Sequence, residues 1–187
     1  MTLPTVIKNY QKHVTETKLK KAYTQLAEAV KLSEVQNGST QEWDFNLNSD
    51  QFSKKYLTPF IKIRNQKANV VFNKLQYKCM NGTNGLVNDI YKGTNTNVFT
   101  LTDGSLLFVD QWIGSNVKYI NIDINGESKP NVNGKDLFDF VITNTGLKTV
   151  GYSLNDTTIK NKCYSKGDSC STLIMQNGWK IPKDYPW

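Results

Sequence analysis

Apolar residues recur at helical spacing through the first 38 positions. Val6, Ile7, Tyr10 and Val14 share one stripe, and Leu19, Ala22, Tyr23, Leu26, Ala29 and Val30 continue it. Leu3-Pro4 opens the pattern, with Thr2 placed to cap and Pro4 in the first turn. Asn37-Gly38 closes it, and glycine suits a helix C-terminus. A polar connector follows. Ser49 then reads as the N-cap of a short helix with Phe52, Tyr56 and Phe60 on one face, ended by Pro59. From here the period changes. Val70 to Tyr77 alternates like a strand, and Asn81-Gly82 and Asn84-Gly85 mark turns. Asn97–Thr102 and Ser105–Asp110 read as a hairpin around a type I′ turn at Asp103-Gly104. Lys118–Ile124 alternates strongly, with Ile120, Ile122 and Ile124 on one face and Tyr119 and Asn121 on the other. Leu137–Ile142 and Thr149–Leu154 are weaker strands, and Ser171–Gln176 is a short helix before an extended tail, Trp179–Trp187. The pattern predicts an α+β fold. A long N-terminal α-helix packs on an antiparallel β-sheet of roughly four strands, with a loop-rich C-terminal region. Residues 1–38 form the spine and 39–187 the globular head of one domain.

Charge adds a second pattern. The net charge is +7 over 187 residues. Over residues 8–21, Lys8, Lys12, Lys18, Lys20 and Lys21 stand against Glu16 alone. Such a run is a solvated face, or a contact for acidic partner subunits, lipid headgroups or DNA. Nucleic acid is disfavoured, because neither aromatic interleaving nor a known binding signature accompanies the lysines. No apolar run reaches the roughly 18 residues that a membrane span needs.

Candidate chemistry is sparse. His13 is the only histidine and has no triad pattern near it, so the chain does not read as an enzyme. Asp136 and Asp139 form a nearby acid pair, but nothing separates them from ordinary strand and turn acids. No phosphate loop or dinucleotide fingerprint occurs. Cys163 and Cys170 enclose a short turn-rich loop and are the favoured disulfide, with Cys79 pairing to one of them as the alternative. Asp123, Asn125 and Glu127, followed by Asn131, Asn133 and Asp136, are hard oxygen donors on a turn-rich loop and suit calcium. The competing reading is that these side chains bond their own backbone and shape the loop. No cofactor is required by anything else in the chain. Trp43, Trp112, Trp179 and Trp187 either form a ligand platform or cap the core, the latter expected for Trp112 and Trp179 at least.

Several short motifs, in order, carry a family likeness. They are Leu3-Pro4-Thr5 with Tyr10, then Lys18-Leu-Lys-Lys-Ala-Tyr23, then Leu26, Ala29, Glu34 and Asn37-Gly38. Asp103-Gly104-Ser105 follows, then Asp123-Ile-Asn-Gly126 with Pro130-Asn131 and Gly134-Lys-Asp-Leu-Phe138, and last Asn177-Gly-Trp-Lys-Ile181. The chain resembles the soluble half of a type IV pilin or type II secretion pseudopilin. It departs from a prepilin in its opening, where a basic leader, a cleavage site, an early Glu and an apolar run are expected. The resemblance implies that Met1-Thr2-Leu3-Pro4 marks the seam where a membrane helix was removed. It implies a structural subunit held in the bacterial inner membrane before assembly and found at the cell surface or periplasm afterwards. Its partners would be copies of itself, related pilin subunits and the inner-membrane assembly machinery. The assembly interface would comprise Leu3, Val6, Ile7, Tyr10, Val14, Lys20 and Lys21. Some pseudopilins of this kind carry a calcium loop near the C-terminus. Two other functions fit the residues: a secreted or surface module binding a glycan or host protein, and a minor pilin binding DNA through its basic helix.

Overall fold

A computed structural model describes residues 3–67, 75–84, 96–110 and 116–187. With no proline or glycine between Pro4 and Gly38, nothing interrupts the first helix. It runs unbroken as α1 (Leu3–Asn37), 35 residues, or about 52 Å of rise. Gly38 turns the chain at φ +78°, a conformation that costs glycine nothing. The exit is fastened twice: Trp43 Nε1 donates to the Gly38 carbonyl at 2.9 Å, and the Thr40 N–H reaches Glu34 Oε1 at 3.2 Å.

The short helix α2 (Ser49–Tyr56) starts one residue earlier than its sequence suggests. Asn48, not Ser49, is the cap. Its side chain accepts from Gln51 N at 2.9 Å, and Gln51 Oε1 accepts from Asn48 N at 3.4 Å. This reciprocal box satisfies two amides that the helix start leaves unpaired. Phe52 and Tyr56 are buried as expected, while Phe60 is half-buried.

Among the described residues six strands, rather than roughly four, form one antiparallel sheet in chain order: β1 (Ile63–Lys67), β2 (Asn97–Leu101), β3 (Leu106–Asp110), β4 (Val117–Asp123), β5 (Leu137–Thr143) and β6 (Gly146–Thr149). The expected strand over 149–154 is displaced to β6, and residues 150–153 form turns instead. The strand expected over 70–77 falls mostly outside the described residues. So do Gly85 and Trp112. The β2–β3 loop is also longer than a two-residue type I′ turn. Leu101 N donates to Ser105 O and Gly104 N donates to Leu101 O, so Thr102, Asp103 and Gly104 all lie in the loop. Only Gly104 has positive φ, at +89°, which makes this the three-residue turn with a glycine bulge.

Register assigns the faces. Phe99, Leu107, Ile120, Ile122, Phe138, Phe140 and Ile142 point toward α1 and α2. They meet Leu19, Ala22, Leu26, Ala29 and Val30 of α1 in the main core. The other face carries Val98, Leu106, Phe108 and Leu137, covered by Leu75, Tyr77 and Cys79. Two further helices, α3 (Asp156–Lys166) and α4 (Cys170–Gln176), follow the sheet. Helix α3 has no counterpart in the sequence reading, because only Ile159 and Cys163 of its eleven residues are buried. Asn155 caps it, and Gly167 ends it at φ +88°.

The Cys163–Cys170 disulfide joins α3 to α4 with a Cα–Cα distance of 4.7 Å, and Cys79 is a buried thiol. Its short loop limits the entropy it removes from the unfolded chain. Replacing both cysteines with alanine is expected to cost about 2 kcal/mol. Urea unfolding of oxidised wild type against the double variant measures this, and an unchanged midpoint would show that the bridge adds nothing.

Candidate functional site: the projecting end of the long helix

Burial along α1 divides the helix in two. From Thr15 to Ser33 one face is enclosed: Thr15, Leu19, Ala22, Leu26, Ala29, Val30 and Ser33. Before Thr15 none of the described residues is fully buried. Leu3 is 73% exposed, Tyr10 68%, and Val6 and Ile7 about half. Four large apolar side chains therefore face outward along one stripe, an arrangement that marks an interaction surface. Val14 differs from the other expected interface residues. It is half-buried and belongs to the wall of a groove. Lys20 is exposed on the helix. Lys21 crosses to the β2–β3 turn, where its Nζ lies 2.9 Å from Asp103 Oδ2.

The helix is anchored to the end of the chain at the same level. Glu16 accepts from Ile181 N at 2.9 Å and from Lys180 Nζ at 2.9 Å, and His13 Nδ1 lies 3.5 Å away. Burial opposes the Glu16 charge, but the Ile181 N–H and the Lys180 ammonium outweigh it and hold this carboxyl below its ordinary range. Thr15 Oγ1 reaches the Lys135 carbonyl at 3.5 Å. Between these ties lies a groove of about 550 Å³. Tyr10, Val14 and Lys18 of α1 form one side, and Lys129, Pro130 and Lys135 of the β4–β5 loop form the other, with Trp187 also in its wall. Burial and then the nearby Lys8 ammonium lower the Lys135 pKa.

The loop proposed for calcium borders this groove. Asp123 and Asp136 do come together. Asp123 accepts from the Tyr77 hydroxyl at 2.5 Å and from Asn125 N at 3.0 Å. Asp136 accepts from three backbone amides: Asn131 at 2.6 Å, Val132 at 2.6 Å and Leu137 at 3.0 Å. Asn125 Nδ2 lies 3.4 Å from Asp136, while Glu127 is exposed on the loop. These bonds engage the carboxylate oxygens in holding the loop, which favours the shaping reading over a cage of six to eight oxygens. Among the described residues no group of three or more His, Cys, Asp or Glu side chains is placed to hold a metal ion. Burial, then the Asp136 charge, pushes Asp123 up to about 7. Asp139 is likewise pushed up to about 7 by burial and then by Asp168. Asn121 and Asn133 donate to its two carboxylate oxygens at 2.5 and 3.3 Å.

Among the described residues the tryptophans do not form a platform. Trp43 is buried and stacks on Tyr56, with ring centroids 4.4 Å apart, and Trp179 packs on Tyr23 at 5.1 Å. Of the described tryptophans, Trp187 alone reaches the groove. Lys129 and Lys135 escaped the sequence reading, since nothing local links them to a helix more than 100 residues earlier.

A profile described as a family of unknown function, DUF6613, matches residues 5–149 and 144–187. The chain belongs to this family. The DUF6613 match takes in α1, the sheet and the C-terminal helices alike. No curated protein and no solved structure matches this DUF6613 chain. Among its described residues no helix is long and apolar enough to cross a membrane.

Proposed function

We propose that the protein is a structural subunit of a type IV pilus or a type II secretion pseudopilus, assembling through its N-terminal helix. The observation that carries this reading is the division of α1. Its C-terminal part is a core element of the head, whereas Leu3, Val6, Ile7 and Tyr10 extend beyond it as an uncovered apolar stripe. A helix so arranged holds a head at a fixed distance from whatever buries its tip. In a filament that burial comes from neighbouring subunits through a head-to-tail contact that need not close on itself. An apolar helix preceding Leu3 would hold the subunit in the inner membrane before assembly. Reading the native gene upstream of the Leu3 codon tests this. A basic leader, a cleavage junction, a Glu and about 20 apolar residues support the filament subunit. An ordinary secretion signal or a stop codon there would discard it.

Lys20 and Lys21 supply a second test. Reversing both charges is expected to reduce filament yield while the head stays folded. The Lys21–Asp103 pair is largely exposed, and such pairs contribute about 0–1 kcal/mol. Normal filament yield from Lys20→Glu/Lys21→Glu would exclude these lysines from the interface.

A further inference from the structure

The projecting end of α1 carries three features that the assembly reading leaves unused. Its apolar stripe ends at an aromatic pair, because Tyr10 and Trp187 both line the groove. Such rings, apolar in body and polar at one tip, settle at the headgroup level of a bilayer. Lysines collect at this same end: Lys18, Lys129 and Lys135 line the groove, and Lys8 stands close enough for its charge to act on both Lys12 and Lys135. The acids there offset them only in part: Glu16 acts on Lys12 and Asp136 on Lys135, but Lys8, Lys12, Lys18, Lys129 and Lys135 outnumber them, and Glu16 is also paired with Lys180. The dimensions also agree. Eleven positions separate Leu3 from Val14, about 16 Å of helical rise. With α1 along the membrane normal and the lysines among the phosphates, Leu3 lies past a headgroup layer of about 5–7 Å and inside the hydrocarbon, while Ile7 shares the level of Lys8.

We propose that this end of the molecule docks on an anionic lipid surface, with Lys18, Lys129 and Lys135 in the groove receiving lipid phosphates and Tyr10 and Trp187 lying at the interface. The docking deepens the filament-subunit reading, because it places the same end of α1 at a bilayer before assembly. It gives the subunit a rest position on acidic lipid, head upright, with the groove closed by a headgroup.

Flotation of the purified chain with vesicles tests it. Binding is expected with equimolar phosphatidylglycerol and phosphatidylcholine, and not with phosphatidylcholine alone. Lys129→Glu/Lys135→Glu is expected to lower the vesicle partition coefficient about tenfold or more. Lys31→Glu/Lys62→Glu carries the same change of net charge at exposed positions outside the groove and is expected to retain most of the binding. Trp187→Ala is expected to weaken binding severalfold, with an unchanged melting temperature for each variant. Three results would overturn the proposal: no flotation with acidic vesicles, equal loss from both lysine pairs, or binding indifferent to Trp187→Ala. Groove-dependent capture of hexagalacturonate without vesicle binding would also overturn it, in favour of an acidic glycan. Vesicle binding can fail while filaments still assemble, so the two readings stand or fall separately.

Discussion

Replacing Leu26 with alanine is expected to destabilise the head by about 3–5 kcal/mol, the range found where a fully enclosed leucine leaves a cavity. Leu26 is 0% exposed and lies in the main core between α1 and the sheet. A loss this large is a substantial fraction of the stability of a domain. Ile7→Ala, on the same helix, is expected to change stability by less than about 0.5 kcal/mol, because its side chain is half exposed. The two substitutions should exchange rank when filament formation is scored instead of unfolding. Ile7→Ala should depress assembly of a head that is fully folded. Urea denaturation of both variants settles the first half. Equal costs at the two positions would mean that α1 is not divided into a core part and a projecting part.

Stability is also expected to fall as pH rises from about 4 to about 7. Asp123 and Asp139 each have pKa values pushed up to about 7. Between the ordinary carboxyl value and that point the folded protein keeps protons that the unfolded chain has released. Their contribution is therefore fully present at low pH and is lost through this window. Carboxyls with lowered pKa act in the opposite direction. Glu16 and Asp103 are of this kind, but their contribution is lost only as pH falls below the ordinary range, so the two effects do not overlap. Asp139→Asn should flatten the profile. At about pH 8 it is expected to gain on the order of 1–3 kcal/mol, and at about pH 5 to be nearly neutral. An amide is compatible with this site, because Asn121 Oδ1 and Asn133 Oδ1 are buried acceptors without a hydrogen-bond partner. Chemical denaturation across this range gives the answer. A flat wild-type profile, or loss of stability in Asp139→Asn at high pH, would show that the Asp139 carboxyl is not held above its ordinary range in the folded protein.

Much of the fold was written locally. Helix α1 is readable because its apolar spacing and its bounding Pro4 and Gly38 agree, and β2, β3 and β4 because their side chains alternate. Strand β1 was missed for a physical reason. Its sequence, Ile-Arg-Asn-Gln-Lys, lies on an edge of the sheet with most side chains in solvent, so it needs no alternation. Strand β6, the other edge, begins at Gly146 with positive φ and is only four residues long. The type I′ turn was misjudged because Asp-Gly also serves the three-residue loop, and only the register of Thr100 with Leu106 separates them. The apolar stripe from Leu3 to Tyr10 was legible, since exposure there contradicts composition only if nothing covers it. The groove was not. It joins Val14 and Lys18 to Lys129 and Lys135, and that proximity exists only after β4 and β5 have paired.

The tie between Glu16 and Ile181 spans 165 positions. A ribosome adding 5–20 residues per second needs on the order of ten seconds or more to cover that distance. During that interval Leu19, Ala22 and Leu26 have emerged, while Ile181 and Trp179 have not. The face of α1 that the finished head encloses is thus made first and covered last. A nascent chain of this design must keep an apolar helix out of trouble for most of its synthesis.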